Sequence, residues 1–331
     1  MASMYDMVQK FPAQLREAME IGKKAQIDPL DNPVHQIFVA GMGGSGIGAD
    51  FVASFIRDEC RVPYLVAKTY DAPAYVNEHT LAIASSYSGN TEETISCIHQ
   101  VKEKYARIIC IASGGNIIQW AKENHFNFIQ LPNNWSSPRA CLGYSIVAQM
   151  YTIAHLGLIS NRFESELNQA IQTLEKESEE IQEKAKHLAN ALFEKTIIIY
   201  STDRIEPVAI RFRQQINENA KRLCWHHVIP EMNHNELVGW RKKDTNLAVL
   251  FLRNSDDHPR NSTRMDLTKE IAAHHAGVVI ELFGKGNSMI EKSLYLVHLL
   301  DFVSVFLADM NQVDAVEVKV IDFLKAELAK S

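Results

Sequence analysis

The stretch VAGMGGSGIGADF, residues 39–51, follows the apolar run QIFVA and leads into the helical-looking GADFVASFI. A glycine-rich turn between strand and helix presents backbone N–H groups at the positive end of the helix dipole, a ready seat for an anion. Gly41, Gly43 and Gly46 also satisfy the GxGxxG pattern of dinucleotide-binding units. Such a unit needs an acidic residue about 20 positions on, at the end of the second strand, to bind the ribose hydroxyls. Here that strand ends in Ala67-Lys68-Thr69, and the first acid, Asp71, lies past the expected place. Lys68 leaves open the extra phosphate of NADP, so the dinucleotide pattern is half met.

Short β-branched runs recur along the chain with helical patterns between them. Strands are expected at 35–40 (HQIFVA), 63–67 (PYLVA), 81–86 (LAIASS), 107–112 (RIICIA) and 126–131 (FNFIQL). Helices are expected near 46–58, 91–104, 116–124 and 140–157. Residues 161–195 are rich in Glu, Lys, Gln and Ala, with Phe163, Leu167, Ile171, Leu174 and Ile181 at helical spacing. The scheme then restarts, with strands at 196–202, 223–229, 246–252 and 277–282 and helices near 206–221, 259–275, 287–309 and 314–329. Strands alternating with helices predict an α/β protein of doubly wound parallel sheets. The expected organisation is a first domain over 1–160, a helical connector over 161–195 and a second domain over 196–331.

Composition bounds the function. The 331 residues are 46% hydrophobic and 22% charged, with a net charge of −6. No global basic field therefore draws in nucleic acid or an anionic membrane, and any bound anion must be held by local groups. The five cysteines show no CxxC spacing and lie in apolar segments, which suits buried thiols in a reducing compartment. The start, MASMYDMVQKFPAQ, lacks a basic region followed by an apolar core, so no secretion signal is expected. SLYLVHLLDFVSVFLADM (293–310) is interrupted by His298 and Asp301 and reads as a core helix rather than a membrane span. The expected location is the cytoplasm.

A second polar turn lies at the end of the third expected strand, ASSYSGNTEETISCI. Ser86, Ser88 and Thr91 set three hydroxyls in one turn, Gly89 relieves the backbone between them, and a helix opens at Glu92 and Glu93. Hydroxyls plus free amides at a helix start form a compact cup for one phosphate monoester. The plain alternative is a well-capped helix, since Ser and Thr are ordinary caps. SSYSGNT holds more polar groups than a cap requires. A dinucleotide would need its cradle at the first strand and no second cup at the third.

SYSGNTEET, preceded by GMGGSG, resembles the sugar isomerase (SIS) domain. More narrowly, the chain resembles the bifunctional phosphoglucose/phosphomannose isomerases, which carry two SIS-type domains. PRACLGYS (138–145), RFRQQINENAK (211–221) and EMNHNELVGW (231–240) extend the likeness in the right order, from about residue 35 to the end. The resemblance implies an aldose–ketose isomerase acting on hexose 6-phosphates through a cis-enediolate, with no metal or redox cofactor. It implies that SYSGNT (Ser86, Ser88, Thr91) holds the 6-phosphate, while Gly43, Gly44 and Ser45 face the sugar and enediolate oxygens.

The same likeness distributes the chemistry. Glu218, in the RxxxxxNExxK pattern of Arg211, Asn217, Glu218 and Lys221, becomes the proton shuttle between C2 and C1, and Asn217 is placed to orient it or a sugar hydroxyl. His234 becomes the ring-opening acid/base, contributed across a homodimer interface, with Glu236 placed to orient it. Arg139 sits at a helix start, where its charge gains nothing from the dipole, which suggests an anionic partner; the resemblance makes that partner the enediolate. A lysine near the carboxyl terminus is implied at the sugar, Lys325 fitting better than Lys319. His226, His227 and Glu231 match no common zinc spacing. One departure concerns mannose 6-phosphate: the segment before the last helix reads VDAVEVKV (313–320), without the threonine that the resemblance leads one to expect. Two other readings remain at this stage, a non-catalytic sugar-phosphate sensor and an NADP-dependent oxidoreductase.

Overall fold

The computed structural model describes residues 2–330, and they form two compact units. One comprises Gln9–Glu175 with Ser288–Glu291. The other comprises the described residues up to Val8, Lys176–Asn287 and the described residues from Lys292 onward.

The chain opens with two helices that no sequence expectation covered, α1 (Met4–Gln9) and α2 (Phe11–Lys24). Pro12 falls in the first turn of α2, where a missing N–H costs nothing. Phe11, Leu15, Ala18, Met19 and Gly22 form its buried stripe.

In the first unit there follow β1 (Gln36–Ala40), α3 (Gly43–Ile56), β2 (Tyr64–Ala67), β3 (Thr80–Ser85), α4 (Glu92–Lys102), β4 (Arg107–Ala112), α5 (Gly115–Glu123), β5 (Asn127–Gln130), α6 (Leu142–His155) and α7 (Arg162–Lys176). The five strands are all parallel, in the order β2-β1-β3-β4-β5. One face packs Phe38, Ala82, Ala84 and Cys110 against Ile98 and Val101 of α4 and Ile117 and Ala121 of α5. Elsewhere in this unit α6 packs against α2 and α3. The central strands β3 and β4 are buried apart from Arg107 at the start of β4, which explains the apolar runs LAIA and IICIA. Each fully buried Ile or Phe contributes about 1.5–3 kcal/mol.

The second unit contains α8 (Ser178–Leu192), β6 (Thr196–Thr202), α9 (Glu206–Glu218), β7 (Trp225–Ile229), β8 (Asp244–Arg253), α10 (Pro259–His275), β9 (Ala276–Phe283), most of α11 (Met289–Met310) and α12 (Lys319–Leu328). Its strands are again parallel, in the order β7-β6-β8-β9, which repeats the first four strands of the other sheet. The boundary between units falls inside the stretch 161–195, with α7 almost wholly in one unit and α8 in the other. Helix α11 is long and apolar enough to cross a membrane by length, but 83% of its most apolar window is buried inside the protein. Asp301, which interrupts its sequence, accepts from Arg211 Nε at 3.1 Å and Nη2 at 2.6 Å. Arg211 is therefore a structural partner of α11, although it belongs to the RxxxxxNExxK pattern.

His298 of α11 is 1% exposed, and burial pulls its imidazole from 6.5 down to about 3. Below about pH 6.5 the unfolded chain binds a proton that the native chain refuses until about pH 3, so stability falls as pH drops through that window. Replacing His298 by Leu should flatten the dependence of the urea midpoint on pH between these limits. An unchanged slope would remove His298 from the acid response.

Candidate active site

In a doubly wound sheet, ligands sit outside the carboxyl ends of the strands where the winding reverses. In the first sheet that point lies between β1 and β3, because the chain passes outward from β1 to β2 and then returns to β3 before continuing to β4 and β5. The Gly41–Gly46 turn leaves β1 at that point, and the Ser86–Thr91 turn leaves β3. A hydrogen bond joins the two turns: Tyr87 N–H donates to Ser45 Oγ at 3.2 Å.

The hydroxyls of the second turn face one another. Ser86 Oγ and Thr91 Oγ1 are 2.8 Å apart, and Ser86 Oγ also accepts from Gly89 N–H at 3.2 Å. Thr91 occupies the cap position of α4 yet makes no side-chain cap bond. That decides against the plain alternative of a capped helix, for which Thr91 would turn back to its own helix. Of two paired hydroxyls only one proton is consumed by the pair, which leaves the other able to donate elsewhere. Ser88 is exposed, and its Oγ accepts from Asn90 N–H at 3.2 Å while keeping a proton to donate. Helix α3 opens at Gly43 without an acid in its first turn, so its amides and dipole meet no carboxylate of their own.

Backbone fit holds the second turn. Gly89 has φ +70°, and a Cβ there would stand 1.8 Å from Gly114 O. Gly89 O accepts from Ile117 N–H at 3.0 Å, and Asn90 Oδ1 accepts from Asn116 N–H at 3.0 Å. Asn90 is thus a brace, legible in the sequence only as part of a polar run.

Arg139 joins this end of the sheet. It lies in a 3-10 turn, Pro138–Ala140, immediately before α6, and is only 7% exposed. A Cβ built on Gly44 would meet Pro138 O at 3.3 Å and Arg139 Cα at 3.6 Å, so the two backbones approach closely. Ser145 Oγ donates to Ser45 O at 3.3 Å. Gly43, Gly44, Ser45, Ser86, Ser88, Thr91 and Arg139 therefore all belong to one end of one unit. Lys68, the residue that left NADP open, pairs with Asp50 at 2.5 Å.

The second unit holds the other expected residues. Glu218 closes α9, half-buried, beside a cavity of about 340 Å³ whose lining includes Asn217, Glu218, Lys221, Leu223, Val320 and Ile321. Lys221, at φ +57°, folds back so that its Nζ donates to Glu218 O and, at 2.7 Å, to Glu317 O. Asn217 Nδ2 donates to Arg222 O at 2.7 Å, so Asn217 shapes the turn after Glu218. Lys325 and Lys319 both lie on the exposed α12, and neither lines this cavity. In this second unit Thr202 Oγ1, at the end of β6, donates to Asp257 Oδ1 at 2.7 Å, and Lys292 pairs with Asp256 at 2.5 Å.

His234 ends a 3-10 turn, Glu231–His234, and is exposed. Its neighbours are pinned. Met232 is fully buried, Asn233 Nδ2 donates to Thr268 Oγ1 at 2.9 Å, and Asn235 Oδ1 accepts from Glu236 N–H at 2.6 Å. Glu236, expected to orient His234, is engaged elsewhere: its carboxylate accepts from Tyr200 Oη at 2.5 Å and pairs with His227 Nδ1 at 2.9 Å. His226 pairs with Glu206 at 3.7 Å, and Glu231 accepts from Asn235. His226, His227 and Glu231 thus turn to three separate partners, and no group of three His, Cys, Asp or Glu suited to a metal occurs among the described residues.

Residues 32–158 match the SIS domain family, and residues 181–328 match the bacterial phospho-glucose isomerase C-terminal SIS domain. A bifunctional phosphoglucose/phosphomannose isomerase of Caldicellulosiruptor bescii is 36% identical over 338 residues, covering 99% of both chains. Another, of Aquifex aeolicus, is 36% identical over 301 residues, covering 90% of this chain and 92% of the relative. The chain belongs to the bifunctional phosphoglucose/phosphomannose isomerase family. The C-terminal domain of glucosamine-fructose-6-phosphate aminotransferase from Francisella tularensis shares the fold, with a TM-score of 0.74 at 13% identity over 94% of this chain and 97% of that one. Both sheets of this phosphoglucose/phosphomannose isomerase family member are therefore SIS-type α/β units.

Gly89→Ala should cost about 1–3 kcal/mol of stability, through its left-handed backbone and the clash with Gly114 O. Gly239→Ala, where an added Cβ meets nothing within 4 Å, should stay within about 0.5 kcal/mol. Urea unfolding of the two variants makes the comparison, and equal midpoints would contradict the strained turn.

Proposed function

We propose that this protein interconverts glucose 6-phosphate and fructose 6-phosphate, with the 6-phosphate seated in the Ser86–Thr91 turn. The observation that carries this reading is the pair of anion-ready turns at one switch point, tied by Tyr87 N–H and Ser45 Oγ. Full-length likeness to relatives named for this reaction supports it. Hydroxyl protons of Ser86, Ser88 and Thr91 with the first amides of α4 satisfy the phosphate oxygens, and Gly43, Gly44 and Ser45 face the sugar.

The reaction begins with ring opening. His234 gives a proton to the ring oxygen as the anomeric hydroxyl gives one up. Glu218 then takes the proton from C2, leaving a cis-enediolate whose negative charge Arg139 balances. The same carboxyl group returns the proton to C1 while a proton passes between the two oxygens, so no atom is gained or lost. A positioned proton carrier supplies about 10²–10⁴-fold, and a fixed charge in a dry site a comparable factor. His234, exposed on a pinned loop, suits delivery to a neighbouring subunit, and we propose a homodimer on that ground. Mannose 6-phosphate enters as a poorer substrate, because VDAVEVKV lacks a threonine beside the last helix.

Glu218→Gln should lower kcat by about 10²–10⁴-fold and abolish exchange of the C2 proton with deuterated water, while fructose 6-phosphate binding changes little. Near-normal turnover in this variant would reject the assignment. Mixing inactive His234→Ala and Glu218→Gln proteins should restore about a quarter of native activity, since half the dimers then hold one intact site. No recovery after verified subunit exchange would place His234 outside the neighbour's site. A parallel assay with mannose 6-phosphate should give the lower kcat/KM.

A further inference from the structure

Helix α2 carries two polar side chains that reach the segment bearing Arg139. Gln14 is 1% exposed and uses both ends of its amide: Nε2 donates to Ala140 O at 2.8 Å, and Oε1 accepts from Gly143 N–H at 2.8 Å. Glu17, three residues on and so on the same face, accepts from the Tyr144 hydroxyl. The Tyr144 oxygen in turn accepts from Trp135 Nε1 at 3.1 Å. Arg139 is thus bracketed, with Ala140, Gly143 and Tyr144 after it tied to α2 and Trp135 before it bonded to Tyr144.

Local chemistry explains why a glutamine is needed there. Helix α6 starts after Cys141, whose side chain makes no cap bond, and the amides of a first helical turn have no partner within the helix. Gln14 supplies that missing cap from another helix. Gly143 makes room for it, since a Cβ there would stand 2.7 Å from Gln14 Oε1. An apolar residue at position 14 would leave a buried N–H and a buried carbonyl without partners. A glutamate would keep the acceptor but set a carboxylate against Ala140 O and place negative charge next to Arg139.

Because the Arg139 backbone lies one Cβ's breadth from Gly44, a shift of this turn moves Arg139 relative to the Gly43–Ser45 amides. We infer that Gln14 is a positioning residue for the sugar-phosphate site: it fixes Arg139 against the glycine turn, with the Glu17–Tyr144–Trp135 chain as a second tie. This inference rests on the proposed role of Arg139 facing the enediolate.

The test is a double-mutant cycle on the full-length protein, reading kcat/KM for fructose 6-phosphate alongside urea midpoints. Gln14→Met, close in volume but unable to make either bond, should lower kcat/KM about tenfold or more in the native background. With Arg139→Ala present, the same change should cost less than about twofold, since nothing remains to position. Equal losses in both backgrounds would show a general structural effect and overturn the inference, as would a Gln14→Met protein within twofold of native. If Gln14→Met fails to fold, Tyr144→Phe, which removes one hydroxyl, carries the same cycle and should show a loss of about threefold confined to the Arg139 background. An Arg139→Ala protein with native kcat/KM would sink the role of Arg139 and this inference together. A severe Arg139→Ala defect with additive Gln14→Met sinks the inference alone.

Discussion

The 3.2 Å hydrogen bond from Tyr87 N–H to Ser45 Oγ ties two turns that are 42 residues apart in sequence. It works only because β1 and β3 are adjacent and parallel, so that both strands deliver their carboxyl ends to the same edge. Helices α3 and α4 then start at that edge and bring two sets of unsatisfied amides with them. A parallel sheet with a winding reversal makes this convergence unavoidable; the residue types in the turns decide what it binds. Small, uncharged, proton-bearing groups leave space and donors for an anion. The second sheet repeats the topology with a different outcome. At and past the ends of β6 and β8, Thr202 donates to Asp257 and Lys292 pairs with Asp256, so charged groups that the first sheet's turns lack satisfy one another.

One architecture used twice thus carries different groups at corresponding places. The first unit offers donors and glycines, the second a carboxylate at the far end of α9 beside a cavity and a histidine on a braced loop. Glu218 is the last residue of its helix, and the turn after it is held by Asn217, Lys221 and Asn219, the last donating to Ser304 at 2.9 Å. The loop of His234 is fixed by Met232, Asn233 and Glu236, all of which face inward. Polar residues in the recognised motifs thus split into those that meet solvent or a cavity and those that hold the former in place. Arg211 and Glu236 belong to the second kind, while Asn217 lines the cavity and also holds the turn through Arg222 O.

The recognised motifs differ from their surroundings in one physical respect. Burial is common along this chain, but buried polar side chains that bond to backbone across long sequence separations mark the places where a turn must not drift. Gln14 on the segment 140–143 is one, and the exposed Asn90 on Asn116 makes a shorter-range bond of the same kind. Each satisfies an amide that its own helix leaves without a partner. Such residues set geometry to a few tenths of an ångström, the scale on which electrostatic stabilisation of a developing charge gains or loses strength.

Strands and most helices were legible from the sequence because parallel strands buried on both faces must be continuously apolar, and RIICIA (107–112) and TIIIYST (196–202) were bounded to the residue. The two turns were legible for a related reason: glycine at positive φ and clustered hydroxyls are costly unless used. Helices α1 and α2 were not, since Pro12 and scattered charges hide a stripe that only its packing partner α6 reveals. Nor could the sequence show that Thr91 bonds Ser86 and leaves its helix uncapped, that Glu236 takes His227 and leaves His234 exposed, or that Gln14 caps a helix 129 residues away. Local pattern specifies which residues form an element and which face is apolar. The choice of partner for a polar side chain depends on what folding brings within 3 Å, and that is a property of the tertiary structure alone.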